Sequence, residues 1–376
     1  MKKIFVKLLG NEKTQFITIP VFSILLSLIV GMVVIGLLGK YPLTAYTNLL
    51  QGSGLLPKPE YSAYQGMLTD FTSFLNMMTP MLFASLAVAV ALKAGLFNIG
   101  VSGQMLAAGY VATVTVGYSA MSAPIAKPLV LLIGIAAGMA VGGLIGFLKY
   151  KFNINEVVSS IMINYIIQYL TSFFINTKYM DQISRQSKAV SSEARLTLMK
   201  VPMGNLKVDL PLCIILAVIA AIVVKFLLDR TRMGYEIKTV GANQNAARYA
   251  GVNVGKTLIT SMMLSGAMAG LAGVTYYLGY LDSIQPKVLA STGFDAIAVA
   301  LLGNSNPVGI IFSSFLITGV TKGSSYMSAA SGIEMEIASV ITGLILLFSA
   351  CGAFIRYEVK KWKTELEEKA REEGRA

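Results

Sequence analysis

The sequence predicts an all-α fold, a polytopic transmembrane helical bundle of about ten spans, some of them short or broken. Three observations lead there. Of 376 residues, 55% are hydrophobic and only 13% charged, with mean hydropathy +0.67, whereas a soluble domain carries about 25% charge. Apolar runs of roughly 18 residues or more recur along the chain, the length that crosses hydrocarbon as a helix. Segments of about ten residues with alternating polarity, the mark of a membrane β-barrel, do not occur.

Composition also removes whole classes of chemistry. The chain has no histidine, so Ser-His and Cys-His nucleophile pairs, His-ligated zinc and His-ligated haem are excluded. Cys213 and Cys351 stand alone in apolar sequence and read as packing residues. No catalytic residue, metal ligand or cofactor of its own is therefore expected. The net charge of +12 suits anchoring against anionic lipid. It does not indicate nucleic-acid binding, because no basic-aromatic module accompanies it.

The first apolar span is expected at 17–38, behind the basic MKKIFVKLLGNEK. It is too long for a signal-peptide core and lacks a cleavage site, so it reads as a retained helix with the N-terminus inside. Residues 40–65, with Pro42, Pro57 and Pro59, form an outer loop. A second span, 66–92, ends at Lys93. A third reaches Gly117 after Gly95, Gly100 and Gly103, which permit close approach or local unwinding. In the fourth, 128–148, Gly138, Gly142 and Gly146 form a small-residue ridge.

The fifth span, 155–176, is polar on one face, where Asn153, Glu156, Ser160, Asn164, Gln168 and Ser172 recur at three- and four-residue steps. Such a row avoids lipid. It reads equally as interhelical hydrogen-bond glue and as the lining of a translocation path. The outer loop 178–210 follows, rich in Lys and Arg and long enough to be functional or partly folded. A sixth span, 211–228, leads into the inner loop 230–257.

That loop ends in AGVNVGKT, one residue short of a phosphate-binding P-loop. Ala250 occupies a required glycine position, and no strand precedes it. A seventh span, 257–278, carries a second ridge at Gly266, Gly270 and Gly273. Two shorter spans hinged at Asn304–Pro307 come next, with Thr292 and Asp295 spaced as a helix N-cap and its third residue. The last span is 337–354. The transmembrane domain thus covers 1–356, and 357–376 is a charged inner tail with Glu365–Lys369 and Glu367–Arg371 in the favourable i,i+4 order. Ten spans place both termini inside, with about two thirds of the Lys and Arg on or beside that side.

At this point the motifs KAGLFNIGVSGQMLAAGY (93–110), NINEVVSSIMINY (153–165), GYEIKTVGANQNAARYAGVN and GFDAIAVALLGNSNPVG together resemble permease subunits of bacterial ABC importers. The likeness is to the nucleoside and simple-sugar branch, akin to the branched-chain amino acid and ribose permeases. It implies a type II importer-like permease in the bacterial cytoplasmic membrane. The implied partners are a second, homologous but different permease chain, an ABC ATPase that holds ATP-Mg, and an extracytoplasmic substrate-binding lipoprotein. It also implies a coupling helix at 241–251 that docks on the ATPase. The residues carrying that role are Gly234, Gly241, Asn243, Ala246, Ala247, Arg248, Tyr249 and Gly251. The segment supports this on its own, being short, helix-capable, flanked by glycines and small on one side. One departure stands out: where the family places a glutamate before Gly103-Gln104, this chain has Ser102, and Glu156 is a candidate to carry the carboxylate.

The function expected is nucleoside import by alternating access. Asn98, Gln104, Glu156, Ser160, Asn164, Gln168 and Asp295 are the candidate path residues. Neutral amides suit ribose hydroxyls and base edges at about 1 kcal/mol each. Arg185 and Arg195 are the candidate docking residues for the binding protein. A pentose or other simple sugar is the alternative substrate, and an ion-coupled secondary transporter or channel is the alternative mechanism.

Overall fold

The computed structural model describes residues 15–334 and 336–373. The basic residues before position 15 lie outside them, as do the side chains of Glu367, Lys369 and Arg371. The chain divides into two units, one spanning Ser53–Lys322 and the other made of the two ends, through Gly52 and from Gly323.

The larger unit is organised around α3, Met67–Lys93; helices α1 and α2 belong to the other unit. Apolar on all sides, α3 is buried along most of its length, as such a helix must be when others surround it. Pro80 sits inside it, as membrane helices packed among others tolerate. Ala94 and Gly95 end the helix. Gly95 has φ +71 and packs its Cα against the backbone of Gly241, where an added Cβ would stand 3.1 Å from it.

After the break come α4 (Val101–Ala112), which runs into a π-helical turn at Thr113–Gly117, and α5 (Ala123–Phe152). Next is α6 (Glu156–Phe174), continued by a second π turn at Ile175–Tyr179. The inner segment is α7 (Cys213–Arg230), α8 (Arg232–Ala242) and α9 (Gln244–Tyr249), followed by α10 (Val254–Thr275) with a third π turn at Tyr276–Tyr280. Finally come the short α11 (Thr292–Leu302) and the long α12 (Pro307–Ser331), which runs on into the other unit.

The two glycine ridges expected separately meet face to face. A Cβ on Gly138 would strike the Gly266 carbonyl oxygen and approach Gly270 to 2.8 Å. One on Gly142 would strike the Met262 carbonyl. α5 and α10 therefore pack backbone to backbone, which only small residues permit. Gly273, from the same row, instead abuts Met105 of α4.

The expected all-α architecture is corrected in one place. Within 178–210, β1 (Thr197–Met203) pairs antiparallel with β2 (Leu206–Pro211), with Val201 opposite Val208 and Met203 opposite Leu206. Gly204 and Asn205 make the turn, and Gly204 takes φ +62. A two-residue loop opening on a left-handed glycine matches the twist of a hairpin.

The smaller unit holds α1 (Gln15–Leu37), α2 (Pro42–Gly52), α13 (Glu336–Ala350) and α14 (Gly352–Glu373). The chain bends by 116° between α1 and α2. Ser23 of α1 donates to the Phe348 carbonyl of α13 at 3.1 Å, and Tyr46 of α2 donates to the Leu28 carbonyl at 2.8 Å.

Among the described residues, five helices are long and apolar enough to cross a membrane, and a sixth span results if the bent α1–α2 pair counts as one. Four others are shorter or more charged. α4 has 12 residues, and α7 has 18 but includes Lys225, Asp229 and Arg230. α13 has 15 and α11 has 11. At 1.5 Å per residue, α11 extends about 16 Å, half of the roughly 30 Å hydrocarbon core.

Candidate functional site

Three groups of expected functional residues fall into three places. The first is the inner segment. Thr231 caps α8 by accepting from the Gly234 amide at 3.1 Å, and a Cβ on Gly234 would collide with the Leu227 carbonyl. Asn243 is extended and caps α9, its Oδ1 accepting from the amides of Asn245 and Ala246 at 2.9 and 3.0 Å. Ala247 is buried and anchors α9, while Ala246, Arg248 and Tyr249 face outward, Tyr249 being 95% exposed. Gly251 leaves the helix at φ +79. A six-residue helix is thus presented from a rigid base, which Gly241 ties to the backbone of Lys93, Ala94 and Gly95 at the break after α3.

The same segment disposes of the P-loop resemblance. Asn253 caps α10 and accepts from the Lys256 amide at 3.0 Å. A P-loop leaves its amides free to cradle phosphate; here that amide is already bonded.

The second place is the break between α3 and α4. Asn98 donates to Gln104 at 3.1 Å and to Ser265 at 2.8 Å, while its Oδ1 accepts from the Gly100 amide at 2.9 Å. Asn164 accepts from the Gly103 amide at 3.0 Å and donates to the Ile99 carbonyl at 3.1 Å. Ser265 donates onward to Ala87 at 2.7 Å. All four side chains are buried. They replace the backbone bonds that the break gives up, as irregular backbone at membrane depth requires. Ser102 is enclosed as well, donating to the Ala290 carbonyl at 2.9 Å with Gly293 against it.

The remaining polar residues separate. Ser160 is buried and, among the described residues, has no hydrogen-bond partner. Glu156 pairs with Lys149 at 2.9 Å, where α5 turns into α6 through the left-handed Asn153. Gln168 donates to the Lys287 carbonyl at 2.6 Å, and the Lys287 amide donates to Ser172 at 2.7 Å. One polar face of α6 thus clasps the strand of chain leading to α11. Asp295 is half-buried in the first turn of α11. Thr292 opens that helix rather than capping it; the flanking residue is Ser291, and it forms no side-chain cap.

The third place is the outer segment. Its backbone runs along 278–284: Leu196 donates to Leu278, Val190 to Asp282 and Ser187 to Ile284, all at 2.8–2.9 Å. Arg195 serves this attachment. Its side chain is only 14% exposed, bonding Asp282 at 3.3 Å and the Gly279 carbonyl at 3.5 Å. Arg185 is exposed in a tight turn, at φ 57. Asp181 holds that turn; the Ile183 amide and the Ser184 hydroxyl keep its carboxyl below the ordinary carboxylate value.

With these positions fixed, comparison with known proteins is decisive. Residues 71–350 match the family described as branched-chain amino acid transport system / permease component. The chain belongs to this permease family. Full-length relatives agree. A nucleoside ABC transporter permease protein, NupB of Lactococcus lactis subsp. cremoris, is 33% identical over 94% of this chain and 96% of its own. The guanosine ABC transporter permease protein NupP of Bacillus subtilis is 34% identical over 94% and 98%. The glucose ABC transporter permease protein TsgB13 of Haloferax volcanii is 29% identical over 90% and 89%. Lactococcus and Bacillus each hold a second matching permease, NupC and NupQ, both 25% identical to this chain.

A permease of this family is a transport subunit and not an enzyme, and this one is a multi-pass membrane protein. The arrangement of its members in pairs of paralogous permeases implies ABC partners.

Sequence reasoning overlooked two features of the site. The hairpin had a signal in Gly204-Asn205 between two β-capable runs. The three π turns, which carry Tyr179, Tyr276, Tyr277 and Tyr280 at helix ends, had none, because a π turn does not change hydrophobic periodicity over one turn.

Proposed function

We propose that this chain is the permease subunit of an ATP-driven importer that carries nucleosides across the bacterial cytoplasmic membrane by alternating access. The observation that carries this reading is the near full-length likeness to two permeases named for nucleosides and guanosine, each covered over 94% of this chain. The family model alone leaves the substrate open, and the glucose-named relative is less alike.

The partners in this reading are a second permease of different but homologous sequence, an ATPase holding ATP and Mg, and a substrate-binding lipoprotein outside. The helix α9 is the coupling element. Its cap at Asn243, its buried foot at Ala247 and the exposed Arg248 and Tyr249 give it the form of a short rigid plug. Gly241 supports its transmission role, because it places the base of α9 against the break after α3, next to the Asn98–Gln104–Asn164 network. Motion of α9 then reaches a part of the bundle held by side chains rather than by helix bonds. Ten spans follow if α4, α7, α11 and α13 are counted with α1, and both termini then face the cytoplasm. Arg185 is the better placed of the two docking residues, since Arg195 is committed to Asp282.

The test is uptake by the complete complex in proteoliposomes, with its own binding protein, comparing guanosine with pentoses. ATP-dependent guanosine accumulation that a hundredfold excess of ribose or xylose does not suppress is expected. Accumulation of the pentose and not of the nucleoside overturns the reading.

A further inference from the structure

The start of α10 carries a cleft that neither the coupling segment nor the Asn98–Gln104–Asn164 network uses. Two hollows open there, of about 420 and 320 Å³. The first lies between α5 and α10, lined by Tyr150, Asn253, Lys256, Ile259, Thr260 and Met263. The second lies between α8 and α10, with Arg232, Met233, Glu236 and Ile237 on one wall and Lys256, Thr257 and Thr260 on the other. Lys256 and Thr260 belong to both, so the two hollows flank one lysine.

The walls are firmly seated. Tyr150 stands in the last turn of α5, and its ring rests on Gly255, where an added Cβ would strike it. α8 is held to α10 by an apolar cluster that includes Ile237, Val254 and Leu258. Along α10, Lys256, Ile259, Thr260 and Met263 follow three- and four-residue steps and therefore share one face. The cation stands in the first turn, and the apolar side chains lie one and two turns further into a helix of membrane-spanning length. At the mouth, Arg232 bonds Glu236 through its Nε at 2.9 Å, which meets that carboxylate and leaves the two Nη groups of a 92% exposed side chain. Lys256 is exposed and forms no ion pair among the described residues.

We propose that this cleft holds one anionic phospholipid, its phosphate at Lys256 and the Nη groups of Arg232 and an acyl chain along Ile259 and Met263. The order of groups along α10 selects an amphiphile. A soluble anion would use the cations and leave the apolar steps below them uncovered, while an uncharged lipid would leave Lys256 without an acceptor. Basic pockets between membrane helices at the cytoplasmic face suit anionic headgroups, and Tyr150 supplies the amphipathic ring common at that depth. The site needs the membrane placement of the chain and is independent of which substrate it carries. Because α8 leads through Asn243 into α9, a lipid seated here fastens the base of α9 to the bilayer surface.

The experiment takes the full chain, alone and in its permease–ATPase complex, in a neutral detergent. Each is titrated with phosphatidylglycerol or phosphatidylcholine, and retained lipid is counted by native mass spectrometry. Wild type should retain phosphatidylglycerol at the lower concentration. Lys256→Gln should weaken that retention about fivefold, the worth of one basic residue near an anionic headgroup, with phosphatidylcholine unchanged. Lys256→Arg should keep the preference, and Met263→Ser should weaken both lipids alike. Arg232→Gln carries the same test should Lys256→Gln fail to assemble. Equal retention of the two lipids by wild type, or a preference that survives both Lys256→Gln and Arg232→Gln, overturns the site. Displacement of the lipid by excess glycerol 3-phosphate makes it a site for free anions and overturns it too. Retention by the chain alone and not by the complex means that the ATPase covers the cleft, and equally overturns the proposal.

Discussion

Asn243 shows how much of α9, the proposed coupling element, hangs on one side chain. Its carboxamide oxygen holds two of the four free amides at the start of α9, and a helix of six residues cannot form in isolation. Replacing an Asn cap by Ala costs about 1 kcal/mol. Asn243→Ala should therefore loosen α9 while the bundle stays folded, and ATP-driven uptake should fall several-fold with the thermal midpoint of the complex nearly unchanged. Equal loss of uptake and of thermal stability would mean that Asn243 supports the bundle instead. At this scale the sequence was informative about residue type and silent about partner. Asn98, Gln104 and Asn164 were recognisable as polar groups in apolar surroundings. That Asn98 bonds Gln104 and Ser265 while Asn164 bonds the backbone of Ile99 and Gly103 is a matter of distant elements meeting, which no local spacing encodes.

At the scale of elements, the contact between α5 and α10 gives the sharpest prediction. Gly138 faces the Gly266 carbonyl with no room for a methyl group, whereas nothing among the described residues lies within 4 Å of a Cβ placed on Gly343. Gly138→Ala should force the two helices apart and lower the thermal midpoint of the purified protein by several degrees, while Gly343→Ala leaves it in place. The outer segment gives a second. The carboxyl of Asp181 is held below its ordinary value of 3.8, first by the Ile183 amide and then by the Ser184 hydroxyl. Because the folded value is depressed, the contribution of this turn is present above pH 3.8 and is lost only as pH falls below it. Protection of the Ile183 amide from exchange should be constant across neutral pH and decline below that value, and Asp181→Asn should abolish the decline. Both glycine ridges were visible in sequence as four-residue repeats. Their mutual contact was not, since a ridge states only that some backbone comes close.

For the whole molecule, helical class and membrane placement were legible because hydropathy integrates over long segments and needs no tertiary information. The hairpin at 197–211 was absent from that reading, since the outer loop was judged by its charge and not by the turn at Gly204-Asn205. Span number was also less secure. α11 is too short to cross alone, and α7 carries three charges in its last turns, so length and apolarity do not select them unaided. The functional centre divides along the same line. The segment proposed for coupling is contiguous and could be singled out as a motif, whereas the hydrogen bonds around Asn98, Gln104 and Asn164 are assembled from distant elements.

The central claim is that ATP hydrolysed by a partner drives nucleosides through this chain. It is tested most directly by loading proteoliposomes of the assembled complex with either ATP-Mg or an ion gradient and following labelled guanosine. The account predicts accumulation with ATP-Mg alone and none with a proton or sodium gradient alone. Accumulation under the gradient without ATP would contradict it and make this chain a secondary transporter.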